Sequence, residues 1–419
     1  MVRAHKEVKG QRLQYSDHST GRLPEAPAPR VLLYSHDTFG LGHLRRSRTI
    51  AGALTEANDQ LSALILTGSP VAGRFTFPER VDHIRLPGVT KLTDGSYVSE
   101  ALGLDIDETT ALRAGLIRTA VERFAPDLVI VDKEPTGFRG ELLQSLEWLK
   151  ENTNTKIVLG LRDVLDEAKA LAEEWDRKDA VSAMERFYDE IWVYGLRNIY
   201  NPLKGLDYPP CVDERMHWTG YLRRDSWGQA ERDEEPYILV TPGGGGDGEL
   251  LVDQVLQAYE ADPTLTPRAH IIYGPFLSGQ TRDEFEERVE ALNGRVVSLG
   301  FDSRMESLMA GAQGVIAMGG YNTFCEILSF DKPAIIMPRK TPRLEQHIRA
   351  SRAEELSLVR MLDPDRDGTS AAVMVAAIRD LPNQKPPSTS KYPDLLTGLE
   401  YIVERVNLLL QPEWTKATA

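Results

Sequence analysis

Cysteine is scarce in this sequence, which has 419 residues and only Cys211 and Cys325 as thiols. Two thiols cannot cross-link a chain of this length, and no Cys–Cys or Cys–His spacing indicates a zinc site. We therefore interpret both cysteines as buried apolar side chains.

Basic residues are also in the minority. The chain has 49 Lys and Arg against 63 Asp and Glu, which gives a formal net charge of −14. Affinity for nucleic acid comes largely from the neutralisation of phosphates, so this balance argues against a nucleic-acid-binding protein.

No long apolar segment indicates secretion or a membrane span. Residues 1–30 are polar and do not have the apolar core of a secretory signal. The uncharged run 307–325 is interrupted by glycine, Gln and Asn, so we interpret it as a helix end, a buried strand and a turn. The composition, with 41% hydrophobic and 27% charged residues, is that of a folded globular chain. These features predict a soluble cytoplasmic protein.

Short apolar runs alternate with helical stretches along the chain, which is typical of parallel sheets covered on both faces. The runs lie at 31–34, 61–66, 81–86, 127–131, 156–160 and 190–194, and then at 237–240, 270–273, 296–299, 314–317 and 334–337. A charged segment separates the two sets. The pattern predicts an α/β protein with two Rossmann-like domains facing across a cleft. The expected parts are a tail (1–29), a first domain (30–222), a linker (223–236), a second domain (237–385) and a last segment (386–419) whose helix covers 394–410.

A glycine-rich loop opens the second domain. The strand 237–240 leads through Pro242 into Gly243, Gly244, Gly245 and Gly246, and a helix follows Gly248. Glycines let the backbone approach a phosphate, and the N–H groups of a helix start attract anions. The next strand ends in Tyr-Gly-Pro without the acidic residue that a dinucleotide site needs, which disfavours NAD. A tight turn without ligand is the alternative.

A second loop, residues 35–43, follows the first strand and ends in Gly40, Leu41, Gly42 and His43. His43 is either a capping or packing histidine or a base that faces the cleft. Arg45, Arg46 and Arg48 follow at a helix start, where positive charge opposes the helix dipole. They form either a solvated face or a site for an anionic acceptor.

A third motif follows the strand 314–317, which ends at Gly319 and Gly320, with a helix expected to begin near Thr323. Glu326 has two interpretations. It completes a capping box with Thr323, or its carboxylate accepts hydrogen bonds from both hydroxyls of a ribose.

Two segments, Phe39-Gly-Leu-Gly-His43 and Met318-Gly-Gly-Tyr-Asn-Thr-Phe-Cys-Glu-Ile through Glu345-Gln346, carry a family resemblance. The sequence resembles the two-domain (GT-B) nucleotide-sugar glycosyltransferases, in particular the peptidoglycan N-acetylglucosaminyltransferase-like group with its family 28 donor domain. Two departures stand out: Gly245, Gly246 and Asp247 replace the usual hydroxyl and alanine, and Arg349 stands near the usual asparagine.

The resemblance implies a role for each matching residue. Glu326 would hold the ribose, and the backbone at Phe301 and Asp302 would face the uracil. Gly319, Gly320 and the loop 243–246 would lie against the diphosphate, and Glu345 and Gln346 would contact sugar hydroxyls. The last helix would cross back onto the first domain.

The expected activity is an inverting, metal-independent transfer of a hexosyl or N-acetylhexosaminyl group from a UDP-sugar, in cell-envelope or polysaccharide biosynthesis. The UDP-sugar is the substrate, and no cofactor is expected. His43 is the predicted base, with Asp37, Asp132 and Glu134 as rivals. Gly40, Gly42 and the three arginines are the predicted acceptor site, for which a phosphate-linked lipid and weak peripheral contact with the inner face of the membrane are candidates. The alternatives are a UDP-sugar epimerase or hydrolase on the same fold, and a catalytically silent sugar-nucleotide-binding protein.

Two acidic motifs do not support a metal site. Asp105-Ile-Asp107 resembles the metal-binding pair of the other glycosyltransferase fold, but the domain pattern does not fit that fold. Asp363 begins a calcium-like loop whose twelfth position is Met374 instead of a glutamate. The sequence therefore predicts no metal.

Overall fold

The computed structural model describes residues 28–36, 42–92, 96–225, 235–244, 246–274, 277–300, 305–392 and 394–411. Several predictions fall outside these ranges and are not addressed by the structure. They concern Asp37, Gly40, Gly245, Phe301, Asp302, most of the tail and most of the linker.

The first domain contains a seven-stranded sheet in the order β3-β2-β1-β6-β7-β8-β9, in which every neighbouring pair is parallel. β4 and β5 form a separate antiparallel pair. The strands are β1 (Arg30–Ser35), β2 (Ser62–Thr67), β3 (Val81–Arg85), β4 (Val89–Lys91), β5 (Tyr97–Ser99), β6 (Leu128–Asp132), β7 (Lys156–Arg162), β8 (Glu190–Tyr194) and β9 (Met216–Trp218). The helices are α1 (Gly42–Ala57), α2 (Ile106–Phe124), α3 (Leu143–Asn152), α4 (Ala168–Arg177), α5 (Ala180–Phe187) and α6 (Pro210–Glu214).

The second domain contains a six-stranded parallel sheet in the order β12-β11-β10-β13-β14-β15. Its strands are β10 (Tyr237–Thr241), β11 (Arg268–Ile272), β12 (Val296–Leu299), β13 (Gly314–Ala317), β14 (Ala334–Ile336) and β15 (Arg360–Met361). The remaining helices are α7 (Glu249–Ala261), α8 (Gly279–Ala291), α9 (Met305–Gly311), α10 (Tyr321–Ser329), α11 (Glu345–Glu355), α12 (Pro364–Asp367), α13 (Ala371–Asp380) and α14 (Gly398–Leu409).

The predicted fold class is confirmed, because two Rossmann-like parallel sheets follow one another along the chain. All residues of β6, β8 and β10 are buried, as expected for central strands that have helices on both faces. The sequence did not predict β4, β5, β9 and β15. Each has only two or three residues, too few to give a recognisable apolar run.

The two domains share one apolar cluster. Tyr221 and Leu222 at the end of the first domain pack in the same cluster as Phe324 of α10. Helix α14, the last helix of the chain, lies on the first domain, where Ile402 and Val406 join this cluster and contacts reach α1. The two domains are therefore joined by a shared apolar core beside the cleft.

In both sheets the strand order reverses direction beside the first strand, between β1 and β6 and between β10 and β13. Loops that follow such neighbouring strands diverge and leave a crevice, which is where open α/β sheets bind ligands. Within the described ranges, no helix is both long and apolar enough to cross a membrane.

Candidate active site

Two neighbouring cavities lie between the domains. The first, of about 230 Å³, is lined by the loops that follow β10 and β13, and we call it the donor cavity after the role that the sequence resemblance implies for these loops. The second, of about 1120 Å³, is lined by His43, the loop that follows β6, the end of β7 and helix α4, and we call it the acceptor cavity after the role that the sequence predicts for His43. Arg162, Arg339 and Glu345 line both cavities, so the two volumes meet.

The glycines that the sequence singled out meet in the donor cavity. Gly243, Gly244 and Gly246 follow β10, and Gly319 and Gly320 follow β13, the neighbouring strand. Gly319 has φ +81°, and a Cβ there would lie 2.7 Å from Ile336 Cγ2, so this turn requires glycine.

Two helices begin beside these turns, α7 after Gly248 and α10 after Gly320. Their first N–H groups have no partner within the helix and favour an anion. The cavity therefore offers the backbone chemistry of a phosphate site.

Glu345 and Gln346 begin α11 and also line the donor cavity. Arg339 fixes both: its Nη2 donates to Glu345 Oε1 at 2.6 Å, and its backbone N donates to Gln346 Oε1 at 3.3 Å. The same guanidinium is paired with Asp247 of the glycine-rich loop. Arg339 thus joins the glycine-rich loop to α11, the helix whose first residues were predicted to contact the sugar.

Glu326 is fully buried and does not line the donor cavity. Arg45 of α1 reaches across the cleft and donates to Glu326 Oε1 and, at 2.8 Å, to Glu306 Oε1. Glu326 Oε2 has no hydrogen-bond partner within the described part of the chain. Burial raises the pKa of Glu326 in spite of the attraction of Arg45.

The capping-box interpretation of Glu326 is wrong. Helix α10 begins at Tyr321 with Gly320 as its N-cap, so Thr323 lies inside the helix and cannot cap it. The sequence placed the helix start two residues too late.

His43 lies at the start of α1 and its Nδ1 is 2.8 Å from Asp132 Oδ2. Asp132 ends β6, the strand next to β1, so the switch point of the first sheet brings the pair together. Arg46 binds the same carboxylate through Nε at 3.0 Å. Burial opposes ionisation of Asp132, but Arg46 and His43 outweigh it and hold the pKa of this carboxyl well below its usual range.

This arrangement has a definite chemical consequence. A carboxylate on Nδ1 fixes the orientation of the imidazole and directs Nε2 away from Asp132, so that Nε2 is the nitrogen that can accept a proton. Asp132, which the sequence offered as a rival base, is instead the partner of His43. The other rival, Glu134, is bound by Lys133 and Lys178, each at 2.7 Å.

The three arginines predicted for the acceptor do not line one cavity together. Arg45 and Arg46 line the donor cavity, and each is bound to carboxylates. Arg46 is 1% exposed, which excludes the solvated-face interpretation for this residue. Arg48 donates from Nε to the carbonyl of Thr76 at 2.7 Å. Gly42 also lines the donor cavity, and its carbonyl accepts from Asn322 Nδ2 at 3.0 Å.

The sequence analysis missed Arg162 and Arg339, and gave no role to Asn322. Arg162 is the last residue of β7 and Arg339 follows β14 closely. Their positions at carboxyl ends of parallel strands were the available signal, since ligands bind at that edge.

The acidic motifs have structural roles. Asp105 is the N-cap of α2 and forms a capping box with Glu108, and Asp107 pairs with Arg139. Asp363 is the N-cap of α12. Within the described ranges, no group of His, Cys, Asp and Glu side chains could hold a metal ion.

Comparison with known proteins agrees with this geometry. Residues 237–366 match the glycosyltransferase family 28 C-terminal domain. This match covers most of the second domain. The match begins at β10 and includes both glycine turns, Glu326, Glu345 and Gln346.

Among curated proteins, a relative from Methanosarcina mazei described as an uncharacterized glycosyltransferase is 27% identical over 206 residues. The alignment covers 49% of this chain and 50% of the relative, so the chain spans about half the length of the curated relatives it matches.

Solved structures show the same fold over almost the whole chain. Phytolacca americana UGT2, determined with UDP-2-fluoroglucose and pterostilbene, is similar with a TM-score of 0.62 and 16% identity, covering 92% of this chain and all of the other. Acinetobacter baumannii MurG is similar with a TM-score of 0.54 and 12% identity, covering 91% and 99%. The chain has the GT-B fold, as the sequence resemblance predicted.

Proposed function

We propose that this protein is a glycosyltransferase that moves a hexosyl or N-acetylhexosaminyl group from a UDP-sugar to an acceptor hydroxyl, with inversion and without a metal. The observation that carries the proposal is the meeting of His43–Asp132 and the two glycine turns at one cleft. The family 28 match and the UDP-sugar analogue bound to a protein of the same fold support a nucleotide-sugar donor.

The donor would lie in the donor cavity with its diphosphate against Gly243, Gly244, Gly319 and Gly320. The N–H groups that begin α7 and α10 would stabilise the charge that develops on the leaving diphosphate. Glu345 and Gln346 would accept hydrogen bonds from sugar hydroxyls. Glu326 would bind the ribose hydroxyls, which requires that Arg45 give up this carboxylate.

His43 would remove the proton of the acceptor hydroxyl while that oxygen attacks the anomeric carbon. The C–O bond forms as the bond to the diphosphate breaks, the proton goes to His43 Nε2, and UDP leaves. Attack from the side opposite the diphosphate inverts the anomeric centre. Asp132 would stabilise the imidazolium that results.

The test is a mass-spectrometric screen of UDP-sugars against an acceptor panel in the presence of EDTA. Transfer that continues in EDTA and is lost in His43→Ala supports the proposal. UDP-sugar consumption that needs no acceptor would instead indicate a hydrolase or an epimerase. UDP binding without turnover over the panel would indicate a silent binding protein. Restoration of activity only by Mg²⁺ or Mn²⁺ would contradict metal independence.

Two finer parts of the proposal concern the acceptor and the location of the protein. A phosphate-linked lipid as acceptor and weak peripheral contact with a membrane remain predictions from the sequence. Sedimentation with vesicles of anionic lipid at low and high salt tests the second, because such contact weakens as salt screens it.

A further inference from the structure

The acceptor cavity has a strong excess of positive charge. Among the described residues that line it, seven are Lys or Arg and three are Glu. The whole chain, in contrast, carries a net charge of −14. A cationic cavity in an acidic protein has a local positive potential that attracts an anionic ligand.

Three guanidinium groups that line this cavity have a buried nitrogen without a hydrogen bond to the described part of the chain; that of Arg339 is ion-paired with Asp247, and the other two are unused. Arg162 Nε and Arg343 Nη1 have no hydrogen-bond partner within the ranges that the structure describes. Buried polar groups are nearly always hydrogen-bonded in folded proteins, so such donors are available to the acceptor atoms of a ligand or of water.

The two arginines come from opposite sides of the cleft. Arg162 ends β7 of the first domain, and Arg343 precedes α11 of the second. Arg343 is oriented by Glu174, 2.8 Å from its Nη2, while its Nη1 remains 3.7 Å from Asp166. One group of a ligand could therefore contact both domains at once.

Arg162 is held among like charges. Burial lowers the pKa of Arg162 to about 10; Glu345 opposes this, and Arg46, Arg349 and Arg343 add to it. A partly buried cation with several cationic neighbours is costly unless an anion joins it.

We propose that the acceptor cavity binds an acceptor that carries an oxyanion, either a phosphate or a carboxylate, between Arg162 and Arg343. The inference rests on the proposed function, since it names the class of acceptor for that activity. Guanidinium groups bind both anions through paired N–H donors.

The rest of the cavity fits such an acceptor. His43 lines the same volume, so an acceptor hydroxyl can lie at its imidazole while the anionic group lies at the arginines. The rings of Tyr97 and Phe138, 5.0 Å apart between centroids, offer an apolar surface for the part between them.

The first experiment measures binding of inorganic phosphate to the full chain saturated with UDP. Equilibrium dialysis with radiolabelled phosphate is run at constant ionic strength, so that chloride competes equally throughout. We expect saturable binding by the wild type and at least about a tenfold weaker affinity in Arg162→Gln and Arg343→Gln, through the loss of charge-assisted hydrogen bonds.

The matched control is Arg186→Gln, because Arg186 is an exposed arginine of the first domain paired with Glu147 and does not line the cavity. It should bind phosphate like the wild type. The absence of saturable phosphate binding in the wild type would overturn the inference, as would equal binding by wild type and Arg162→Gln.

The second experiment distinguishes the two anions with matched acceptors: glucose, glucose 6-phosphate and glucuronate. We expect the preferred anionic sugar to be used with at least about tenfold higher kcat/KM than glucose, and Arg162→Gln to lose that preference with UDP affinity unchanged. Equal or better use of glucose by the wild type would contradict the inference. If Arg162→Gln lowers only UDP affinity, Arg162 belongs to the donor site and the inference is wrong. If none of the three sugars is glycosylated, the phosphate-binding experiment decides whether the inference holds.

A measurement of UDP affinity distinguishes failure of this inference from failure of the proposed function. Failure of the wild type to bind UDP would contradict the proposed function, whereas phosphate binding reports on the acceptor cavity alone.

Discussion

Arg45 of the first domain and Glu326 of the second domain form an ion pair across the cleft. Glu326 is the carboxylate proposed to bind the ribose of the donor, and its side chain is 1% exposed. The contact between the two domains and the proposed contact with the ribose therefore use the same carboxylate. Donor binding should weaken the Arg45–Glu326 contact, and this contact should in turn oppose donor binding.

The first prediction is that Glu326→Gln weakens UDP binding by about 1.5–3 kcal/mol, the range for a lost hydrogen bond to a charged group. Arg45 keeps Glu306 as a partner in this variant, so the chain should remain folded. Calorimetric titration measures the affinity, with a thermal melt as control. A lower melting temperature with unchanged UDP affinity would show that Glu326 is only a structural partner of Arg45.

The second prediction is that Arg45→Met has the opposite effect on the donor. It removes the group that competes with the ribose for Glu326, so UDP affinity should rise by a few-fold, equivalent to about 1 kcal/mol. The same titration checks it. A weaker UDP affinity would show that Arg45 contacts the nucleotide, and unchanged affinity would show that the two contacts do not compete.

The third prediction concerns His43. His43→Ala should lower kcat by about 10²–10⁴-fold, the usual contribution of a general base, with UDP affinity preserved. His83→Ala is the control, since His83 stacks on Phe77 and lines neither cavity. A loss below about tenfold in His43→Ala would remove the base assignment and leave His43 a role in acceptor binding.

The fourth prediction concerns Arg349 and Asp163, a buried ion pair between the domains at 2.6 Å. Arg349 Nη1 also donates to the carbonyl of Gly319 at 3.0 Å, so this pair supports a donor turn. Arg349→Met leaves Asp163 buried without its main partner and should lower the free energy of unfolding by about 3–5 kcal/mol.

Urea unfolding measures that loss, and UDP titration should show weaker binding in the same variant. Arg186→Gln breaks an exposed pair and should cost less than about 1 kcal/mol. Equal unfolding midpoints for the two variants would contradict the role assigned to Arg349.

The fifth prediction is a pH dependence from His36. Burial lowers the pKa of His36 to about 3; Glu134 opposes the shift, and His43, Lys133 and Lys178 add to it. The unfolded chain protonates this histidine near its ordinary pKa of about 6.5, whereas the folded chain does not until about pH 3. Between these values the unfolded state binds the extra proton, so the free energy of unfolding falls as the pH falls.

Urea unfolding at pH 7 and pH 5 measures this effect for wild type and His36→Phe. The variant keeps an aromatic ring near Phe138 and should lose less stability on acidification, by at most roughly 1.4 kcal/mol per pH unit. An identical pH dependence in both proteins would show that His36 is not buried in its neutral form.

The sequence predicted the sheets and the glycine turns because both depend on local signals. Apolar runs indicate the central strands, and consecutive glycines such as Gly319 and Gly320 indicate turns whose backbone a ligand can approach closely. The contacts between the domains had no such signal. The pairing of Arg45 with Glu326 joins residues 281 positions apart, and Arg349 meets Asp163 across 186 positions.

The clustering of charges in the sequence did not show which cations have carboxylate partners. Arg45, Arg46 and Arg48 form a cluster in the sequence, but the fold gives the first two carboxylate partners. Arg162 and Arg343 are isolated in the sequence and line the same cavity in the folded chain. Partners that are distant in sequence decide which cations remain available to a ligand.

The most direct measurement of the central claim is a calorimetric titration of the wild-type chain with UDP in the presence of EDTA. The account predicts saturable binding of one UDP per chain, with the same affinity when Mg²⁺ replaces EDTA and weaker binding of ADP and GDP. The absence of UDP binding at millimolar concentration, or binding that requires the metal, would contradict it.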